Sequence, residues 1–213
     1  HQHGPQMQFG NYGLAFADGV SFWARVFEGT DYAFPEEQVE IIENYILEGL
    51  CWPIWKGVMD PSACGRQLHI NGGRGKAYSC AVALSNMAAM NRPRSGVFRH
   101  IALQNLQPGL YENELVGARY YPRSDFGVYR AKDWYASVRM QSERTIGYEF
   151  TNAENLLAQF SADGTIIMMQ SGREYENIFP YWDWRMLPGV TAYDDGTPLR
   201  TDDSREDKQN NTG

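Results

Sequence analysis

His3, Tyr12 and Arg66 are side chains that could move a proton or hold a negative charge, and Glu149 is a carboxylate that could orient such groups. Taken one at a time, none of them calls for catalysis. A histidine beside Gly4-Pro5 is commonly a loop residue, and a tyrosine that opens a helix usually packs. Charge adds a hint. The chain of 213 residues has a net charge of −7, which argues against a nucleic-acid partner. Residues 60–100, however, carry six bases (Arg66, Arg74, Lys76, Arg92, Arg94 and Arg99) against the single acid Asp60, a local +5. A basic segment in an acidic chain suits an anionic ligand gripped at one place, and a plain basic face suits it about as well. Asn71 to Lys76 is not a phosphate loop. The first glycine of that motif would fall at Ile70, and Ala77 replaces its Ser/Thr.

The elements that must position these residues change character along the chain. Phe16, Val20, Trp23 and Phe27 form a helical stripe over Tyr12 to Glu28, and Gly29-Thr30 ends it. Pro35-Glu36-Glu37 opens a second helix with the stripe Val39, Ile42, Ile46 and Leu50. Turn signals at Asp60-Pro61 and Asn71-Gly72-Gly73 interrupt the pattern, and helices are predicted over about 77–90 and 96–107. After Pro108-Gly109 the period becomes two. Trp134, Ala136, Val138 and Met140 alternate with Tyr135, Ser137, Arg139 and Gln141. Ser161-Ala-Asp-Gly164 predicts a hairpin between 155–160 and 165–170. The reading is therefore α+β: a helical domain over 1–112 and an antiparallel β domain over 113–213, with 201–213 loop or disordered. No apolar run is long enough to span a membrane. Cys51, Cys64 and Cys80 fit no zinc spacing and are expected as buried thiols. No metal is expected at the His1/His3 pair, which has no further ligands clustered nearby. Most tryptophans are expected in the core.

Several motifs together resemble polysaccharide lyase family 8, of the hyaluronate lyase and chondroitin AC lyase type. These are His3-Gly-Pro-Gln6 followed by Tyr12-Gly13, Asp60…Gly65-Arg66, Tyr148-Glu149…Asn152-Ala-Glu154-Asn155, and Tyr181-Trp-Asp-Trp184 followed by Pro188-Gly189. They run in order from His3 to about Thr191. The resemblance implies the end of an (α/α) toroid followed by the first part of a β-sandwich domain. A second family arginine would fall at Ile70, where this chain has none.

The resemblance also implies a reaction. The family cleaves uronic-acid polysaccharides by β-elimination: the C5 proton leaves and the C4–O bond breaks. Such a site needs a base, a donor to the leaving oxygen and a counter-charge for the uronate carboxylate. Tyr12 is implied as the main proton carrier. A free phenol ionises only near about 10, so Arg66 is implied as its electrostatic partner. His3 is left as an orienter, a charge carrier or itself the base, and Glu149 as a group holding His3 or Arg66. Gln6, Asn152 and Trp184 are implied at the substrate. The expected partner is an anionic glycosaminoglycan, with no nucleic acid and no membrane, and the expected location is secreted or periplasmic. A xanthan-type lyase and a non-catalytic carbohydrate-binding protein are the alternatives. No cofactor is required. A structural calcium near Asp183, Asp194 and Asp195 stays open. The family's carboxylate-binding Asn belongs upstream of His3, so the isolated chain is expected to be inactive unless another polypeptide, such as the rest of the toroid, completes it.

Overall fold

A computed structural model describes residues 5–149, 153–191 and 193–199. His3, Asn152 and the segment 201–213 lie outside the described residues.

The chain enters through a π turn, Phe9–Gly13, kinked at Asn11, whose φ of −135° and ψ of −107° are not helical, and then runs into helix α1, Leu14–Phe27. Helix α2, Glu36–Tyr45, starts after Pro35 with two acids in its first turn and continues as a π-helical turn, Ile46–Leu50. A short hairpin follows, β1 Ile54–Trp55 with β2 Val58–Met59. A 3₁₀ turn, Pro61–Ala63, leads to the loop bearing Arg66. Helices α3, Gly72–Ala89, and α4, Ser95–Leu106, follow and pack against each other. No helix among the described residues is long and apolar enough to cross a membrane.

The helices pack closely because their inner faces are small. Ala17, Ser21 and Ala24 of α1 are buried, as are Ala77, Cys80, Ala81, Ala83 and Ala88 of α3. Asn86 bridges the two helices, donating to the Ser21 hydroxyl at 3.3 Å and accepting from Arg25 at 3.1 Å. This corrects the face assigned to α1. The predicted stripe is largely open, with Phe16 58% and Trp23 50% exposed. Together with Val20, Phe27 and Phe34 these side chains line a groove. The apolar period identifies the helix correctly, but small residues, not aromatic ones, allow two helix axes to approach. In α2 the expected face is the buried one: Val39, Ile42, Ile46 and Leu50.

The second half is an antiparallel sheet in the order β3-β4-β5-β6: Gly117–Tyr121, Phe126–Arg130, Tyr135–Arg139 and Thr165–Met169. The predicted hairpin within 155–170 does not form. Residues 155–160 are turns, and β6 pairs with β5 in the register Tyr135↔Met169 to Arg139↔Thr165. The alternation in β5 is real, but its polar phase faces inward. Tyr135, Ser137 and Arg139 are buried, whereas Ala136 and Val138 are only half-buried. One apolar core runs through both halves, joining Trp55, Leu84 and Phe98 to Phe126, Tyr135 and Ile167. The three cysteines are buried free thiols.

Among the described residues, Asp60 and Arg130 are two of the buried polar groups that join the halves. The Asp60 carboxylate accepts from Ser62 N at 2.7 Å, from the Tyr135 hydroxyl at 2.5 Å and from the Ser137 hydroxyl. Arg130 reaches the other way. Its guanidinium donates to the carbonyls of Cys51 (3.2 Å), Trp52 (2.9 Å), Ile54 and Leu115 (3.0 Å), and to Asn113 Oδ1 (2.9 Å). Burial pulls its pKa down to about 10, so it remains a cation at neutral pH. Replacing Arg130 by Met leaves these acceptors buried without a donor. Urea unfolding should show a loss on the order of 3 kcal/mol, while a loss below about 1 kcal/mol would show that water replaces the guanidinium.

Candidate active site

Arg66 is the centre of the site. It follows Gly65, whose φ of +59° turns the chain after the 3₁₀ segment. Its three nitrogens go to three groups. Nη1 donates to Glu149 Oε1, Nε donates to Glu154 Oε2 at 2.9 Å, and Nη2 donates to the Tyr12 hydroxyl at 3.2 Å. Arg66 and Glu149 are both buried, at 6% and 4% exposed. Burial acts to lower the Arg66 pKa. The hydrogen bond from Arg66 to the Tyr12 hydroxyl and the charge and hydrogen bond of Glu149 outweigh it, so the net shift is upward. Arg66 is thus a permanent cation placed against a phenol oxygen.

Glu149 is held from its other side. Its Oε2 accepts from Gln6 at 2.9 Å and from Gln8 at 2.7 Å, and its backbone carbonyl accepts from Asn155 at 2.9 Å. The segment carrying Gln6 and Gln8 is tied to the loop before Glu149 by Ile146 N donating to the Pro5 carbonyl at 3.0 Å. The helical half therefore supplies the side-chain amides that orient a carboxylate of the β half.

Tyr12 sits half-buried in the π turn and opens onto a cleft of about 570 Å³. Phe9, Phe16, Tyr45 and Tyr121 line it, and Arg123 and Ser124 from the β3–β4 turn close its far side. Tyr45 lies in the same cleft, but burial pushes its phenol up to about 12, so it stays protonated at neutral pH. Tyr12 differs in having a guanidinium on its oxygen, which can stabilise negative charge there.

The structure thus brings Tyr12, Arg66, Glu149 and Gln6 together. Gln6 holds Glu149 as well as lining the cleft. Trp184 is placed elsewhere: its indole N–H donates to the Phe179 carbonyl at 3.1 Å, its ring stacks on Phe179, and it packs against Tyr148 and Ala158. His3 and Asn152 lie outside the described residues. Sequence reasoning misses Gln8 and Glu154 as site residues. Glu154 stands inside the Tyr148–Asn155 motif, and Gln8 gives no signal beyond its place between Gln6 and Tyr12. The acids considered for calcium make contacts of their own among the described residues. Arg185 lies 3.4 Å from Asp194, and Asp183, Asp194 and Asp195 cap backbone N–H groups of their own loops.

Comparison with known proteins defines the class. Residues 1–95 match the N-terminal alpha-helical domain of polysaccharide lyase family 8, and residues 116–213 match its super-sandwich domain. The chain belongs to polysaccharide lyase family 8. It is 28% identical over 197 residues to chondroitinase-AC of Pedobacter heparinus, covering 91% of this chain and 28% of that protein. The fold matches a chondroitinase AC lyase solved in oligosaccharide complexes, with a TM-score of 0.86, 24% identity, and 98% of this chain and 31% of that one covered. It also matches a Paenibacillus xanthan lyase, with a TM-score of 0.80, 18% identity, and 94% and 22% covered. The chain spans about a third or less of the length of these relatives.

Gly65 gives a direct test of the site's packing. A Cβ there would lie 3.0 Å from Gln8 Nε2 and 3.1 Å from Glu149 Oε2, on a backbone at φ +59°. Gly65→Ala should cost about 2 kcal/mol. Gly75→Ala, in α3 with nothing near its missing Cβ, should be neutral or stabilise by up to about 1 kcal/mol. Chemical unfolding of both variants measures the contrast, and equal effects would mean that the Gln8–Glu149 contact tolerates a methyl group.

Proposed function

We propose that this chain carries the proton-handling part of a lyase that cleaves uronic-acid-containing glycosaminoglycans, such as hyaluronan or chondroitin, by β-elimination. The supporting observation is the Arg66 fork, which places one cation on the Tyr12 phenol and on a buried carboxylate of the other half. In this reading Tyr12, ionised beside Arg66, takes the C5 proton of the uronate. The electron pair forms the C4–C5 double bond, and the C4–O bond breaks. The same phenol, now protonated, returns the proton to the leaving oxygen. Arg66 supports the anionic form of Tyr12, and Glu149 with Gln6 and Gln8 keeps the guanidinium in place. The role of His3 and of Asn152 at the uronate follows from the family resemblance alone. The division into 1–112 and 113–213 and a location outside the cytoplasm belong to the same reading.

The chain covers a minor part of its relatives, so the test is made in a full-length context. Tyr12→Phe should lower turnover by roughly 10²–10⁴-fold, followed as ultraviolet absorbance of the unsaturated product, with oligosaccharide binding retained. Unchanged turnover would remove Tyr12 from the chemistry. Binding with no turnover even in the unsubstituted protein would favour the carbohydrate-binding alternative. A panel of hyaluronan, chondroitin and xanthan separates the substrates. The isolated 213 residues are expected to be silent in the same assay.

A further inference from the structure

We propose that a second pocket, built by Lys76, Asn11 and the first turn of α3, binds a sugar-borne oxyanion beside the Tyr12 cleft. The pocket encloses about 490 Å³. It backs onto the same π turn: Gly10 and Asn11 line it, while Phe9, Tyr12 and Gly13 line the cleft. Neighbouring residues of one turn therefore serve two cavities.

Three observations give the pocket its sign. Lys76 is 8% exposed, and its ammonium donates to the Gly10 carbonyl and to Gln67 Oε1 at 2.9 Å. Both acceptors are neutral, a backbone carbonyl and a side-chain amide, and among the described residues no carboxylate pairs with it. A buried ammonium with three donors and no counter-charge is costly, and an entering anion relieves that cost. Asn11 is 9% exposed, and its Nδ2 is a buried donor with no acceptor among the described residues. The eighteen-residue helix α3 begins at the pocket with Gly72, so its positive end faces the same space. Gly72 also lets the His69 ring lie against this turn, since a Cβ there would sit 3.3 Å from Nε2. Asp18, exposed on α1, is the one carboxylate among the lining residues and forms no ion pair among the described residues.

The donor set suits a carboxylate or a sulfate ester. The inference rests on the polysaccharide reading, because a polymer with one charge per repeat presents a second oxyanion at a fixed distance from the reacting uronate. Ile70, 62% exposed on the pocket rim, is where the test can be made without disturbing the core.

The experiment is an NMR titration of the 213-residue chain with sodium glucuronate, sodium sulfate, and sulfated and unsulfated chondroitin oligosaccharides, following the amides of Asn11 and residues 69–76. Saturable shifts are expected there. Ile70→Glu should weaken binding roughly tenfold and Ile70→Lys should tighten it, as one added charge at a partly desolvated site does. Lys76→Met should abolish it. A response to glucuronate and unsulfated oligosaccharide assigns a carboxylate site; a response only to sulfate and the sulfated form assigns a sulfate ester. No saturable response to any probe, or equal affinity in Ile70→Glu and Ile70→Lys, overturns the proposal. Tyr12→Phe should leave these shifts intact, so failure of the lyase reading and failure of this pocket are separable.

Discussion

The site depends on one buried ion pair between segments that are far apart in sequence, Arg66 with Glu149. Taking both charges out of water costs several kcal/mol per ion, and attraction repays it only when the remaining donors and acceptors are satisfied. Here they are satisfied at both ends. Glu154 and Tyr12 take up the other Arg66 nitrogens, and Gln6 and Gln8 take up the second Glu149 oxygen. The consequence is positional. Arg66 can point at Tyr12 only while the β half is docked, because its principal anchor lies there. The contact between Arg66 and the Tyr12 hydroxyl is thereby made conditional on the assembled boundary between the two halves.

The same physics explains why the boundary is polar. Strand β5 turns Tyr135, Ser137 and Arg139 inward, where Asp60 meets the two hydroxyls. Burial drives the Asp60 carboxyl upward against those hydrogen bonds and drives Arg139 down to about 10. An apolar inner face would have bound more strongly per unit area, but it would not have fixed a register. Hydroxyls and guanidinium groups have preferred geometries, so this interface sets one docking position, and Asp60 sets the loop on which Arg66 follows six residues later.

What the sequence discloses follows from which signals are local. Helix periods, the Pro35-Glu36-Glu37 start and the change to period two after Pro108 are local, and all appear in the fold. The Tyr12 and Arg66 assignments rest on motif order, and the structure brings them within a hydrogen bond. The inward phase of β5 is not legible, because it depends on a carboxylate distant in the chain, that of Asp60, facing Tyr135. The open aromatic stripe of α1 is misread for a related reason: period identifies a face, and only the neighbour decides whether that face is covered. Gln8 stays hidden because a glutamine announces nothing until its carboxylate partner is known.

The π turn carries the remaining constraint. Both glycines that bracket Tyr12 are in close contact: a Cβ on Gly10 would lie 2.6 Å from the Cys64 sulfur, and one on Gly13 would lie 2.5 Å from the Tyr45 hydroxyl. Lys76 holds the Gly10 carbonyl from behind, and the Gln8 carbonyl accepts from Gly13 N at 2.9 Å. The turn is therefore fixed by backbone contacts on both flanks, and the Tyr12 side chain is held in turn by Arg66. In the role proposed for Tyr12 such a frame matters, since an error of about 1 Å in placement can cost about a hundredfold in rate. Lys76 and Arg66 thus act on one short segment, one holding its backbone and the other donating to the Tyr12 hydroxyl.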